Sequence, residues 1–406
     1  MKAPVDDYTM NDLRPTPVIV CLAHLGWDFV WQRPQQILSR LARHYPVLYI
    51  NEPVHLPQGT TAPQLVQVAA GDGVSAWQPG MPDERAVLEQ WRDIYGAMVR
   101  TLLLAEGFVQ ESADGSGLQP LRPLILWFYT PTPYYLLELI PADLVVYDVM
   151  DELASFQGAS ADLQQREAAV LQAADLVFTG GRSLYESRRD CHPHVHLFPS
   201  GVDIAHFAGA AVVTTPPSEL LAGIRGPRLG YVGVIDERID LPLLARLADT
   251  LPEWSLIMVG PIAKIEESAL PRRPNIYYLG KQAYAALPSL LKGFDVCLMP
   301  FALNEATRHI SPTKTLEYMA AQRPIVSTSV PNVVASWGDV VWIADGPDAF
   351  AQAIDAAMRE PEEACRQRQA RAEAHLCRSS WDGIAASMQA LIAIELEGME
   401  CADDDN

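Results

Sequence analysis

The chain has 406 residues, 49% of them apolar and 20% charged, with 30 basic against 50 acidic side chains and a net charge of −20. That balance excludes a disordered chain, and the length calls for two or three domains at roughly 100–200 residues each. Both halves are acidic (13 Lys and Arg against 24 Asp and Glu up to residue 210, then 17 against 26), which argues against a nucleic-acid binder or adhesion to an anionic membrane as the main mode.

Short apolar strands alternate with amphipathic helices from the start. PVIVCLA (residues 17–23) predicts a buried strand, the loop HLGWDFVWQRP follows it, and apolar spacing at Ile37, Leu38 and Leu41 predicts a helix over 34–44. PVLYINEP (46–53) is a second strand. A Gly-, Gln- and Pro-rich stretch leads to a helix expected over 83–106. Further strands are expected at 123–129, 144–147, 176–179 and 196–198, with LQQREAAVLQAA as a helix among them. Residues 212–227 (VVTTPPSELLAGIRGP) read as a linker. A second series follows: strands RLGYVGVI, SLIMVG, NIYYLG, DVCLMPF and PIVST, and helices LPLLARLADTL, AALPSLLKGF and SPTKTLEYMAA. The last 40 or so residues are helical, with an acidic tail expected to be disordered from 399.

Such alternation predicts an α/β protein with two doubly wound, Rossmann-like domains. They divide as 1–210, a linker at 211–227, 228–378, a terminal helix at 379–398 and the tail at 399–406. Ligands of such folds lie beyond the carboxyl ends of strands. The six cysteines never form C-x-x-C, fitting reduced thiols and not a disulfide or zinc framework. The polar first residues show no signal peptide, and no apolar run reaches the ~18–20 residues of a membrane span. The sequence therefore reads as a soluble cytoplasmic protein with at most peripheral membrane contact. HPHVH (192–196) has closely spaced histidines but sits on a loop before a strand, and no metal site is expected there.

The most informative stretch is SPTKTLEYMAAQRPIVST (311–328). Pro312 suits the first turn of a helix. The backbone N–H groups of Thr313, Lys314 and Thr315 would then face an anion, with Lys314 adding charge. Glu317, one turn further in, would reach the ribose hydroxyls of an attached sugar; a capped helix with a solvated Glu and Lys is the plainer alternative. In the first half, Trp27, Trp31, Gln32 and Arg33 follow a strand and offer indole faces and polar groups to an acceptor, unless the tryptophans only fill the core. His24, in the same loop, is a further catalytic candidate, with a purely structural role as the alternative. Asp151, with Asp148 in reserve, lies just beyond another strand, where it either meets the reacting groups or caps a helix. Arg182 follows the strand at 176–179, where it either reaches the cleft or caps a surface helix.

With these motifs in view, PTKTLEYMAAQRPIVST resembles the E-x-M-A-x-G-x-P-V-V-x-T signature of GT-B fold glycosyltransferases, especially family 4. FPSGVDIAHF and DLVFTGGRSLYES resemble that family's hinge segment and preceding strand and helix, and the strands of the second half follow its order. The resemblance spans most of residues 16–390. It implies transfer of a sugar from a nucleotide diphosphate sugar, UDP- or GDP-linked, to a glycan or lipid-linked acceptor. Retention of anomeric configuration, a role in bacterial surface polysaccharide or lipopolysaccharide assembly, no metal or other cofactor, and a final helix packing back on the first domain are implied with it. By the same resemblance Glu317 holds the ribose, Lys314 and the 312–316 backbone hold the diphosphate, Arg238 beside Gly233 is a second phosphate cation, and Gly280 to Tyr284 line the base. His309 stands where the family has another glutamate, and Gln322 where it has glycine. A nucleotide-sugar epimerase of related fold and a non-catalytic nucleotide-sugar-binding protein are the alternatives.

Overall fold

The computed structural model describes residues 15–82, 91–155, 160–308, 310 and 312–403. Two largely parallel sheets carry the chain. The first contains β1 (Val18–Ala23), β2 (Val47–Asn51), β3 (Val54–His55), β4 (Gln64–Gly71) and β5 (Val74–Met81). Past a separate hairpin of β6 (Val109–Glu111) and β7 (Leu118–Pro120), it continues with β8 (Leu124–Phe128), β9 (Leu144–Val149), β10 (Leu176–Thr179) and β11 (Val195–Leu197). Its order is β11-β10-β9-β8-β1-β2-β5-β3, with β4 antiparallel on β5. The second sheet comprises β12 (Arg228–Val232), β13 (Ser255–Val259), β14 (Ile276–Gly280), β15 (Val296–Met299), β16 (Ile325–Ser327) and β17 (Trp342–Ile343), in the order β14-β13-β12-β15-β16-β17.

Every residue of β1, β2, β8, β13 and β15 is buried. Helices on both faces of a parallel sheet remove the need for alternation, so these strands are continuous apolar runs. Counted within itself, the second sheet has the order 3-2-1-4-5-6 and reverses direction between β12 and β15. That reversal opens the crevice where doubly wound sheets bind ligands. The first sheet reverses in the same way between β1 and β8.

Several elements differ from the sequence reading. The Gly- and Gln-rich stretch folds as the β4–β5 hairpin, turned by Asp72 and Gly73, both at positive φ. Of the helix expected over 83–106, Trp91–Ala105 is helical, and 83–90 lie outside the described residues. The tail expected to be disordered from 399 is helical through Asp403, because the helix Trp381–Asp403 carries on past its apolar stretch; 404–406 lie outside the described residues. The stretch at 212–227 is tied down: Lys292 Nζ donates to the carbonyls of Val212 and Val213 at 2.6 and 3.2 Å.

By density of contacts the chain divides into two compact units, one of 1–148, 162–177 and 389–406, the other of 149–161 and 178–388. Among the described residues no helix is long and apolar enough to cross a membrane.

Glycine fixes the packing at β12. A Cβ on Gly230 would lie 2.0 Å from Cδ2 of Phe294, a ring that is itself buried. Gly230→Ala should therefore destabilise the second unit by about 1–3 kcal/mol through overpacking. Gly223→Ala, whose Cβ would meet nothing within 4 Å, is the control. Thermal unfolding of the two variants should show the loss in the first alone.

Candidate functional site

In the second unit the chain leaves β12 into a loop fastened on both flanks. On one side Gly233 N–H donates to Val259 O at 2.8 Å, Ile235 N–H to Pro261 O at 2.9 Å, and Ala263 N–H to Ile235 O at 3.1 Å. On the other, Ala302 N–H donates to Arg238 O and Asp240 N–H to Pro300 O, both at 2.8 Å. The loop thus bridges the ends of β13 and β15 across the switch point. Asp236, buried on this loop, accepts Arg238 Nε at 3.0 Å on each oxygen, Nη2 at 2.7 Å and the Arg238 amide at 3.0 Å.

Burial works against the Arg238 charge, but the bonds and charge of Asp236, with Tyr231 and Asp151, outweigh it and raise the guanidinium above its ordinary value. Asp151 therefore lies within electrostatic reach of Arg238. Tyr231 is pushed up by burial and by Asp236 and Glu317, with Arg238 pulling the other way. Asp151, Tyr231, Asp236, Arg238 and Glu317 share one electrostatic neighbourhood.

The helix Lys314–Ala320 supplies the other flank. Leu316, Tyr318 and Met319 bury its inner face, and Tyr318 Oη accepts the Val232 N–H at 2.8 Å. Glu317 is only 7% exposed, and Lys314 Nζ lies 3.0 Å from each of its carboxylate oxygens. The two expected ligands of ribose and diphosphate hold each other.

The structure corrects several expected donor residues. The helix begins at Lys314 with Thr313 as its cap, so buried Pro312 precedes the first turn, and its carbonyl takes the Thr315 N–H at 3.2 Å. Thr315 is fully buried with Oγ1 on Met299 Sδ at 3.3 Å, a core residue whose amide is not free for phosphate. The Gly233 amide is spent on Val259. His309 lies outside the described residues. Gly280, at positive φ, accepts Gly260 N–H at 2.9 Å. One face of the Tyr284 ring stacks on His206 at 4.2 Å between centroids and 9° between planes, and His206 Nε2 lies 3.0 Å from Tyr284 O. His206 was not singled out from sequence; nothing local marks it, since its partner is 78 residues away.

In the first unit the loop after β1 is braced from beneath. Tyr49 Oη donates to Leu25 O at 2.8 Å, Asn51 Oδ1 accepts Trp27 N–H at 3.0 Å, and Gln35 Nε2 donates to the carbonyls of Gly26 and Trp27 at 3.2 and 3.1 Å. His24 Nδ1 is 3.1 Å from Tyr129 O. Trp27 packs edge-on against Tyr49 at 4.9 Å and Trp31 at 6.0 Å, and Trp31 keeps 37% of its surface exposed. Gln32 serves as the helix cap, its N–H bonded to Gln35 Oε1.

Arg33 and Asp148, expected to meet the acceptor and the reacting groups, instead form a buried ion pair, with Nε 3.0 and 3.1 Å from the two carboxylate oxygens and Nη2 2.8 Å from one. Neither side chain is more than 2% exposed. Burial raises the Asp148 carboxyl above its usual range against the opposing pull of Arg33 and Tyr129. Of the two roles expected for Arg182 the surface one holds: it is 74% exposed, lies 3.9 Å from Glu186 and opens a helix whose cap is Gly181. The rings of His192 and His194 stand 6.0 Å apart. Among the described residues no group of three or more His, Cys, Asp or Glu is placed to hold a metal ion.

An E. coli trehalose-6-phosphate structure bound with UDP-2-fluoro glucose superimposes with a TM-score of 0.64 at 14% identity, covering 93% of this chain and 98% of that one. Sucrose-phosphate synthase from Thermosynechococcus elongatus gives 0.65 at 16%, over 95% and 100%. The fold is GT-B. Residues 226–360 match the family Glycosyl transferases group 1, so the resemblance to GT-B glycosyltransferases drawn from the motifs holds. TuaH of Bacillus subtilis (strain 168), named as a teichuronic acid biosynthesis glycosyltransferase, is 27% identical over 223 residues, 51% of this chain. The match spans about half (56%) of that relative's length.

The Arg33–Asp148 pair makes its own prediction. Arg33→Ala or Asp148→Ala strands a buried charge and should cost about 3–5 kcal/mol, whereas replacing both with apolar residues of similar volume should cost much less. Denaturant unfolding of the two single variants and the double variant checks this.

Proposed function

We propose that the protein transfers a glycosyl group from a nucleotide diphosphate sugar, UDP- or GDP-linked, to a glycan or lipid-linked acceptor. The observation that carries this reading is that Arg238 and Glu317 both act on Tyr231, with Lys314 paired to Glu317 and Asp151 acting on Arg238, in a unit whose residues 226–360 match Glycosyl transferases group 1. It is supported by the names of the neighbours, among them Anabaena HepE in complex with UDP and glucose (13% identical, TM-score 0.62, covering 92% of this chain and 99% of that one).

In this reading the Glu317 carboxylate accepts the ribose hydroxyls, and Lys314 turns from Glu317 to the diphosphate. Arg238 is held by Asp236 through Nε and Nη2, which leaves its Nη1 for a phosphate oxygen. Arg238, Lys314 and the amides of Thr313 and Lys314 stabilise the leaving diphosphate as charge develops on it, without a metal. Gly280 and Tyr284 border the base, and Asp151, close to Arg238, serves the reacting sugar. The braced loop with His24, Trp27, Trp31 and Gln32 receives the acceptor, the indoles stacking on sugar faces. Retention of configuration follows the resemblance. A part in surface-polysaccharide assembly is supported by the name of TuaH; a place at the cytoplasmic side with at most peripheral membrane contact follows the sequence reading.

Removing a charge-assisted bond costs roughly 1.5–3 kcal/mol. Glu317→Ala should therefore weaken UDP or GDP by about 10- to 150-fold, and a 2′,3′-dideoxy nucleotide should bind the variant no worse than the ordinary one. Calorimetry in which the variant still prefers the ordinary nucleotide as the wild type does would remove Glu317 from the ribose.

Arg238→Ala should weaken a nucleoside diphosphate far more than the nucleoside, and transfer should persist in excess EDTA. Equal loss for both ligands would unseat Arg238, and activity abolished by EDTA and restored by Mg²⁺ or Mn²⁺ would refute the metal-free phosphate site.

A further inference from the structure

We infer that Glu237 is a specificity-determining contact of the donor site, accepting a hydroxyl of the sugar carried by the nucleotide; this rests on the function proposed above. Glu237 Oε1 is buried and takes no hydrogen bond among the described residues. Glu237 as a whole is half-buried, but a buried carboxylate oxygen without a partner is costly, and native proteins keep few of them.

Its neighbours give no relief. Arg238, the next residue, spends Nε and Nη2 on Asp236, and Asp236 also takes the Arg238 amide. The backbone on either side is fastened, with Ile235 tied to Pro261 and Ala263, Ile239 N–H donating to Asp236 O at 3.0 Å, and Arg238 O accepting Ala302 N–H. The loop holds a cation in place and leaves a bare acceptor beside it in sequence.

The chemistry of that acceptor selects its ligand. No described group of His, Cys, Asp and Glu beside it is placed to hold a metal ion. A neutral O–H donor satisfies the oxygen without adding charge. A sugar whose phosphate rests on Arg238 brings several such donors to the adjoining residue. Glu237 therefore reads the sugar, and Arg238 the phosphate.

Titration calorimetry with UDP, UDP-glucose, UDP-galactose, UDP-N-acetylglucosamine, GDP and GDP-mannose measures what the sugar adds to binding. In the wild type at least one sugar should tighten binding over its bare diphosphate by about 10- to 150-fold, the worth of one hydrogen bond to a charged group. Glu237→Ala should erase most of that gain while leaving the bare diphosphate within about twofold. Glu237→Gln should melt no lower than the wild type, because the carboxylate it removes has no partner. A gain that survives in Glu237→Ala overturns the inference. So do a wild type that gains nothing from any sugar tested, a variant that loses the bare diphosphate equally, and a lowered melting temperature in Glu237→Gln. A wild type that binds neither UDP nor GDP overturns the donor-site reading itself, and this inference with it.

Discussion

A single buried hydroxyl joins the helix that carries Glu317 to the strand end that leads to Arg238. Tyr318 is fully buried in the middle of the helix Lys314–Ala320, and its Oη accepts the amide of Val232, the last residue of β12. One neighbour of Tyr318 along the helix is Glu317; a few residues beyond Val232 lie Asp236 and Arg238. Bonds between buried partners in a low-dielectric interior are stronger than in water, and an unmade one is costly. This one fixes the helix against the strand end. Together with the buried inner face of the helix, it sets the carboxylate and the guanidinium in one frame.

The second constraint is charge. In a chain of net charge −20, anionic ligands meet a repulsive background, and the cations that receive them must stay where the fold puts them. Arg238 and Lys314 are both held by carboxylates of their own neighbourhood, Asp236 and Glu317. The arrangements differ in kind. Asp236 grips one edge of a planar guanidinium and leaves the rest of the fork usable, so it acts as a mount. Lys314 is a point charge on a flexible stem, and its partner is itself a ligand candidate.

Much of the architecture was legible because burial on both faces leaves a plain mark: VIVCLA, LILWF and SLIMV have no alternative to a central strand. The β4–β5 hairpin was not, since Gln, Ala and Gly on an exposed edge carry little alternation. In the site, the motif around Glu317 announced the helix and its acidic residue, but not that Lys314 lies 3.0 Å away. Asp148 shows the opposite failure. An aspartate at the end of a strand looks like a site residue until its partner is known, and Arg33 is 115 positions distant. His206 and the braces Tyr49, Asn51 and Gln35 were silent for the same reason: each acts through a contact far away in sequence or through a backbone carbonyl that no motif records.

The mutual grip of Lys314 and Glu317 carries a consequence for how a ligand is assembled into the site. A phosphate fragment that draws Lys314 away strands a carboxylate that is only 7% exposed, and a ribose fragment that occupies Glu317 strands the lysine. Each fragment alone pays for a broken pair, while a molecule carrying both groups breaks it once and compensates both ends. Under the proposed function the pair then favours a molecule that carries both groups over a nucleoside or inorganic pyrophosphate alone.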